Sequence, residues 1–255
     1  MNLRSLSILA AGLLVSVSTG ALTAQAADMP APAANLWSGF YLGAQAGYLQ
    51  GTGSNTDICA TDGTDRMCFG DDGFDFGDTN ADGITAGGYL GYNYQIDSIV
   101  MGLEGDFNWD NAQGDSGSSI FLGPYSYSSS LNWDASIRAR LGFVVDERAL
   151  LYVTGGPSWL NMDVNADYCG LINSPGNTNC GDSNTNFGWQ LGAGAEYMIT
   201  DHLSMKAEFL HGWYGDVDSN IFTVSDAGNK FKIYAKEDLQ TNVVRAGIAY
   251  HFGGF

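Results

Sequence analysis

Apolar residues alternate with polar or small residues at a period of two along this chain, and the pattern recurs in eight separate runs. Because successive side chains of a β-strand point to opposite faces, this alternation predicts strands with one apolar face. In the clearest run Leu131, Trp133 and Ile137 share one face, while Asp134 and Arg138 share the other. Most runs are about ten residues long, the length of a tilted membrane-spanning strand. The runs cover residues 37–48, 84–94, 99–109, 131–143, 151–159, 188–197, 203–209 and 241–252.

The connections between these runs alternate between short and long. Tight turns are predicted at 95–98, 146–148 and 200–202, and long polar loops at 51–82, 110–128, 161–184 and 214–238. Long loops on one side and short turns on the other are typical of bacterial outer-membrane barrels. The sequence therefore predicts an all-β fold, an eight-stranded antiparallel up-and-down transmembrane β-barrel with four long extracellular loops and short periplasmic turns. A soluble sandwich or lipocalin-like barrel, which also has one apolar face per strand, is the alternative.

The first 26 residues have the features of a secretory signal peptide. Arg4 supplies the positive charge, Leu6 to Val17 is an apolar run too short for an ordinary membrane span, and Ala24-Gln25-Ala26 offers a cleavage site. An uncleaved membrane anchor is the alternative. We expect a signal peptide over 1–26, a short periplasmic leader over 27–36 and the barrel domain over 37–255.

Charge and composition exclude one class of partner and favour β-structure. The chain has 28 Asp plus Glu against 10 Lys plus Arg, so it repels phosphate and is not expected to bind nucleic acid. Low proline, with 5 residues, high glycine, with 35, and 13% aromatic residues suit a β-rich protein.

Four segments resemble a known family. Trp133-Asp134-Ala135-Ser136-Ile137-Arg138-Ala139-Arg140-Leu141-Gly142-Phe143, with Leu150 to Gly156 after it, is similar to the small outer-membrane β-barrel proteins of alphaproteobacteria. These are porin-family surface antigens, often described as outer-membrane immunogenic proteins. Residues 37–43 resemble the family's first strand and residues 244–252 its last. The resemblance implies a barrel related to the OmpA membrane domain, located in the cell outer membrane beside lipid and lipopolysaccharide.

Strand parity places nine charged residues on the inward face of the predicted barrel. Eight strands enclose a space that side chains only just fill, so these long groups are expected to pair and to plug the lumen. We expect Glu104 and Asp106 to face Arg138 and Arg140, because their strands form a hairpin. Solvation of some of them near the rims is the alternative. The predicted lumen residues are Glu104, Asp106, Asp134, Arg138, Arg140, Glu196, Lys206, Glu208 and Arg245.

The four cysteines fall into two predicted loops. Cys59 and Cys68 lie in the first long loop, and Cys169 and Cys180 lie in the third. An exported protein meets an oxidising environment, so we expect two local disulfides. Free thiols and zinc are the alternatives, although neither pair has the C-x₂-C spacing common in zinc sites.

The last strand resembles the signal that the barrel-insertion machinery reads. Arg245, Gly247, Tyr250 and Phe252 fit a polar-x-Gly-x-x-aromatic-x-aromatic pattern, and Phe255 adds a terminal aromatic residue. The resemblance implies barrel-assembly machinery and periplasmic chaperones as partners. Alternatively, these aromatic residues only belong to the girdle at the membrane interface.

The first long loop is acidic and contains part of a calcium-loop pattern. Asp78, Asn80 and Asp82 match its first half, but the twelfth position holds Tyr89 where the pattern requires Glu. A solvated acidic loop is the favoured interpretation, and weak binding of divalent cations is the alternative.

No arrangement of residues in the sequence indicates catalysis. The three histidines, His202, His211 and His251, are scattered among the predicted strands and turns. We therefore expect a structural surface barrel with no cofactor and no enzymatic activity. The alternatives are a narrow diffusion pore for small solutes and adhesion or ligand binding through the loops.

Overall fold

The computed structural model describes residues 36–61, 66–69, 79–120, 123–166, 182–226 and 229–253. Nine strands run through this part of the chain. They are β1 (Gly39–Thr61), β2 (Arg66–Phe69), β3 (Thr79–Ile96), β4 (Ile99–Ile120), β5 (Gly123–Asp146), β6 (Ala149–Ala166), β7 (Asp182–Met198), β8 (Leu203–Asp226) and β9 (Asn229–His251).

Eight of these strands close an antiparallel barrel, as the alternation predicts. Consecutive strands from β3 to β9 pair with each other, and β1 pairs with both β3 and β9. The β1–β9 ladder runs from Tyr41 opposite His251 to Thr61 opposite Lys232 and closes the sheet on itself. Within the described ranges the short β2 pairs only with the end of β1, over Ile58–Thr61, and is an addition to the barrel wall. No helix in the described ranges is long and apolar enough to cross a membrane.

The outer wall of the barrel is apolar. Large side chains such as Leu103 (61% exposed), Ile137 and Val244 project outward from it. Aromatic residues lie toward both ends of this band, with Trp109, Trp189 and Trp213 on the side of the long connections and Tyr92, Tyr250 and Phe252 on the side of the short turns. An apolar band between two aromatic girdles is the outer surface of a barrel that spans a membrane.

The three predicted tight turns are confirmed. They join β3 to β4 through residues 97–98, β5 to β6 through 147–148 and β7 to β8 through 199–202. Asp97 has a φ of 51°, a left-handed conformation that two-residue hairpin turns require and that Asp tolerates.

The bounds predicted for the long loops are wrong in large part, because β-strands continue into these connections. In place of a loop over 110–128, β4 runs to Ile120 and β5 begins at Gly123. Likewise β8 extends to Asp226 and β9 starts at Asn229. A strand that has left the membrane has water on both faces, so it loses the apolar alternation by which strands are recognised.

Leu131 was predicted to face outward and lies inward instead. The β4–β5 ladder shifts register between Trp109 and Ala112, and the β5–β6 ladder shifts between Leu131 and Trp133. An extra residue in one strand reverses the faces of the residues beyond it. Leu131 is consequently buried at 1% exposure.

Candidate functional site: the barrel lumen

Side chains fill the described lumen in three layers along the barrel axis. The turn-side apolar layer lies next to the short turns, and the loop-side apolar layer lies toward the long connections. Charged residues occupy the ion-pair layer between them. The ion-pair layer consists of Glu104, Asp106, Arg138, Arg140, Glu196, Lys206, Glu208 and Arg245, all of them buried.

Glu104 on β4 is a hub of the ion-pair layer. It lies directly opposite Arg138 on β5, and Nη2 of Arg138 is 2.8 Å from its Oε1. Nζ of Lys206 is 2.9 Å from the same oxygen, and the Tyr41 hydroxyl donates to Oε2 at 3.0 Å. Arg140 is farther away, with Nη1 3.9 Å from Oε2. Glu104 is therefore held by cations and a hydroxyl from three different strands, β1, β5 and β8.

Asp106 and Glu208 share the cations of the same layer. Arg245 reaches both acids, with Nη1 3.1 Å from Asp106 and Nε 2.5 Å from Glu208. Nη2 of Arg138 also lies 3.0 Å from Asp106 and 3.4 Å from Glu208. Ser136 donates to Asp106 at 2.5 Å. The expected pairing of Glu104 and Asp106 with Arg138 is thus present in the structure.

Arg140 pairs mainly with a residue that the hairpin argument did not select. Its Nη2 contacts Glu196 of β7. Glu196 also accepts a hydrogen bond from Ser204 at 2.6 Å. The guanidinium carbon lies 3.7 Å from the centre of the Tyr152 ring, so the cation is covered by an aromatic face. Across the lumen, Nζ of Lys206 lies 3.5 Å from the centre of the Tyr89 ring in the same way.

The two apolar layers close the ends of the described lumen. The turn-side layer contains Trp37, from the segment before β1, which is fully buried against its neighbours. Such apolar contacts exclude water from the ion pairs and strengthen them. The members of the turn-side apolar layer are Trp37, Val100, Leu150, Tyr152 and Met198. The members of the loop-side apolar layer are Leu49, Ala81, Ala112, Leu131, Leu160, Met162, Leu210, Tyr214, Leu239 and Val243.

Asp134 is buried as predicted for an inward residue, but its contacts differ from those of the other acids. It accepts a hydrogen bond from Asn108 at 3.2 Å, and its carboxylate lies near Asp110. Alternation of apolar residues does not predict Asp110 as a lumen residue, because the outward apolar residues of β4 stop at Trp109. The period of two along β4 does place Asp110 on the inward face, since Asp106, Asn108 and Asp110 follow one another at steps of two residues.

The structure gives the histidines partners that the sequence did not reveal. Nε2 of His251 is 2.9 Å from the Ser204 hydroxyl and 3.3 Å from Glu196. Nδ1 of His211 is 2.8 Å from the Asn242 side chain, and Nδ1 of His202 is 3.2 Å from the His251 carbonyl. Serine, histidine and glutamate therefore meet in the lumen.

This group does not have the geometry of a catalytic triad. In a triad the serine and the carboxylate engage opposite nitrogens of the imidazole ring. Here both face Nε2, and Ser204 donates to Glu196 itself. Ser204 is also fully buried, so a substrate has no access to its hydroxyl.

The remaining predicted sites are only partly described. In the backbone Cys59 lies opposite Cys68, in the β1–β2 ladder. Asn80 and Asp82 lie on β3 in extended conformation, where the calcium-loop interpretation required a loop, and Asp82 accepts a hydrogen bond from Tyr48 at 2.5 Å. Residues 1–35, Asp78, Cys169, Cys180 and Phe255 lie outside the described residues.

The C-terminal pattern splits between the two faces of β9. Arg245 and Gly247 face the lumen, whereas Tyr250 and Phe252 face outward with ring centres 5.0 Å apart. Arg245 therefore has a structural role in the ion-pair layer, whatever its part in assembly.

A closed antiparallel barrel with an apolar outer wall and a charged, filled lumen is an integral outer-membrane β-barrel. Residues 14–252 match the family described as outer membrane protein beta-barrel domain, and the chain belongs to this family. It is 30% identical over 219 residues to the 31 kDa outer-membrane immunogenic protein of Brucella melitensis, covering 85% of this chain and 84% of that protein. The protein is accordingly located in the outer membrane.

Two further comparisons agree with this assignment. The chain is 28% identical over 227 residues to the 22 kDa outer membrane protein of Rhizobium leguminosarum, covering 89% of this chain and 83% of that protein. The fold is similar to the crystal structure of the outer membrane protein OprG from Pseudomonas aeruginosa, with a TM-score of 0.50 and 14% identity over 84% of this chain and 97% of that chain.

Proposed function

We propose that this protein is a structural component of the outer membrane, a sealed barrel that neither conducts solutes steadily nor catalyses a reaction. The observation that carries the proposal is the filled lumen, in which two apolar layers enclose a buried ion-pair layer. An ion crossing this lumen would lose its hydration at each apolar layer and would have to displace paired charges between them. Both steps oppose conduction.

The arrangement of the buried polar groups supports the absence of catalysis. The serine, histidine and glutamate that meet inside the barrel bond to each other in an order that leaves no activated nucleophile. The charged residues serve instead to neutralise one another across strands, which joins β4, β5, β7, β8 and β9 through their side chains.

Planar-bilayer conductance of the refolded protein tests the proposal. We expect no steady conductance from the wild type. A double variant, Trp37→Ala with Leu160→Ala, thins both apolar layers and is expected to conduct. Leu42→Ala with Leu103→Ala shortens side chains on the outward face and serves as the control. Steady conductance of the wild type would contradict the sealed barrel and favour the narrow pore.

We also propose that the chain is exported by a signal peptide over residues 1–26 and inserted by the barrel-assembly machinery after delivery by periplasmic chaperones. In the membrane it would contact lipid and lipopolysaccharide through the apolar wall and the extended hairpins. The Brucella relatives are named immunogenic outer-membrane proteins, which supports exposure of these hairpins at the cell surface. Two local disulfides, Cys59–Cys68 and Cys169–Cys180, would hold the hairpin ends.

A further inference from the structure

Asp110 and Asp134 form an acidic pair in the described lumen between the ion-pair layer and the loop-side apolar layer. Asp110 lies on β4, and Asp134 lies on the adjacent β5 opposite Asn108, two residues before Asp110, so that the two carboxylates interact electrostatically. Asp134 is 4% exposed, and Asp110 is half-buried. Just beyond the pair lie Ala112 and Leu131 of the loop-side apolar layer, which are opposite each other in the ladder.

The side-chain oxygen atoms at this position lack well-formed hydrogen bonds. Neither carboxylate oxygen of Asp110 receives a hydrogen bond of acceptable geometry. Thr85 lies directly opposite Asp110 on β3 and is 2% exposed, and its hydroxyl lies beside the Asp110 carboxylate without a hydrogen bond of good geometry. On the next strand, the buried side chain of Gln45 donates to Asn108 at 2.8 Å and leaves its own oxygen unpartnered. Unsatisfied buried oxygens of this kind are rare in folded proteins and need an explanation.

The charges of the described lumen are also unbalanced at this position. The four cations of the ion-pair layer are matched by Glu104, Asp106, Glu196 and Glu208. Arg245 is the cation near Asp134, but it already contacts both Asp106 and Glu208. Asp110 and Asp134 therefore add two negative charges that these contacts do not neutralise. Two neighbouring buried carboxylates do not both stay ionised without a bound counter-charge.

We propose that a single calcium ion binds between Asp110 and Asp134, with the Thr85 hydroxyl and the Gln45 side-chain oxygen as neutral ligands. The donor set contains only oxygen, which selects a hard cation over transition metals that prefer nitrogen or sulfur. A divalent ion balances the two carboxylates. Calcium fits better than magnesium because it accepts irregular geometry and loses its water more readily, as a narrow lumen demands.

The neighbouring tryptophans provide a direct probe. Trp109 and Trp133 precede the two carboxylates in sequence and lie opposite each other in the β4–β5 ladder. Terbium, which takes calcium's ligands, would therefore luminesce when these indoles are excited. We expect one terbium ion per barrel when the protein is refolded with terbium, and calcium present during refolding should compete for that site. Asp134→Asn should abolish the luminescence, whereas Asp82→Asn, which removes an exposed acid elsewhere, should leave it unchanged.

Thermal unfolding in detergent gives a second, independent measurement. At a calcium concentration of about 100 times Kd, wild-type Tm should rise by about 5–10 °C over its value in EDTA. Asp134→Asn should show no such rise and, in EDTA, should melt no lower than the wild type, because one of the two repelling charges is gone. Equal terbium luminescence in wild type and Asp134→Asn would overturn the proposal. A wild-type Tm that calcium does not change would also overturn it and would indicate a proton shared by the two carboxylates.

Discussion

Glu104 and Arg138 lie directly opposite each other on β4 and β5, and Nη2 of Arg138 is 2.8 Å from Oε1 of Glu104. Both side chains are buried, and each has a second partner on β8, Lys206 for Glu104 and Glu208 for Arg138. The pair thus connects a hairpin to the opposite wall of the barrel. Removing one member leaves the other's charge buried with fewer partners, which is the costly case for ion pairs.

A double-mutant cycle on this pair should show strong coupling. We expect Glu104→Gln and Arg138→Gln each to lower the free energy of unfolding by about 3–5 kcal/mol. The double variant should lose less than the sum of the two, with a coupling of about 0.5–3 kcal/mol. Urea-induced unfolding from lipid vesicles, followed by tryptophan fluorescence, measures all four proteins. Additive losses would mean that the two charges act independently.

Gly194 provides the space that the Tyr152 ring occupies beside Arg140. A Cβ at Gly194 would lie 2.6 Å from the Tyr152 hydroxyl oxygen and 2.7 Å from the Ala207 carbonyl. The Tyr152 hydroxyl also donates to Glu208 at 3.0 Å, so displacing it disturbs the ion-pair layer. We expect Gly194→Ala to lower the free energy of unfolding by about 1–3 kcal/mol.

Gly88→Ala is the matched control for this substitution. Gly88 faces outward, and its Cβ would meet only the Gly43 carbonyl, at an ordinary 3.5 Å. We expect no loss of stability, or a gain of up to about 1 kcal/mol from the reduced freedom of the unfolded chain. If both variants lost the same stability, crowding against Tyr152 would not be the cause.

Trp37 should stabilise the barrel without being its only seal. It is fully buried in the turn-side apolar layer, and the centre of its ring lies 5.9 Å from the centre of the His251 ring. Its backbone nitrogen donates a hydrogen bond to the Gln95 side chain at 3.3 Å. Trp37→Ala is expected to lower the free energy of unfolding by about 3–5 kcal/mol. It should stay non-conducting in a planar bilayer, because the loop-side apolar layer is unchanged. Trp37→Phe should recover much of the stability, and conductance of Trp37→Ala alone would place the seal in the turn-side layer.

The sequence predicts the membrane-spanning part of the fold well, for a physical reason. Inside the membrane, outward residues must be apolar to contact lipid, and inward residues can be charged. Alternate residues therefore differ in polarity, and the sequence alone predicts that Arg138, Glu196 and Glu208 face the lumen. The pairing of Arg140 with Glu196 on β7 could not be derived in this way. This pairing depends on which inward side chains contact each other across the lumen. A period of two predicts the face of each residue but not the distance between residues on different strands.

The pattern fails where a strand leaves the lipid or changes register. Asn111 and Gln113 face outward beyond Trp109 but are polar, so apolar alternation predicts an end of the strand at Trp109 and does not reveal Asp110. Alternation predicts the wrong face for Leu131, because nothing in the local sequence marks the register shift between Leu131 and Trp133. Trp37 is buried because the chain enters the barrel lumen before β1 begins. Alternation within the strands does not predict the path of this preceding segment.

The cysteines are predicted to pair within each hairpin. Cys59 and Cys68 are opposite each other in an antiparallel ladder, where Cα atoms are about 4.5–5.5 Å apart, and a disulfide spans about 4.4–6.8 Å. Each bridge should contribute roughly 2–3 kcal/mol, so Cys59→Ser with Cys68→Ser should unfold at lower denaturant. Non-reducing peptide mapping checks the pairing. A Cys59–Cys169 bridge would refute it.

The internal aromatic pair of β9, more than the chain end, is predicted to direct assembly. Phe252 projects outward at 58% exposure beside Tyr250, and its backbone nitrogen donates to the Phe40 carbonyl at 2.8 Å, so it is fixed at the seam where the barrel closes. Deleting residues 253–255 leaves this arrangement in place. We expect Phe252→Ala to reduce insertion into the outer membrane more than that deletion does, measured as the heat-modifiable folded fraction in isolated membranes. Both variants should refold equally well in detergent, which separates recognition from stability. If the deletion caused the greater loss of insertion, the signal would lie at Phe255 and the internal pattern would be reduced to an interface girdle.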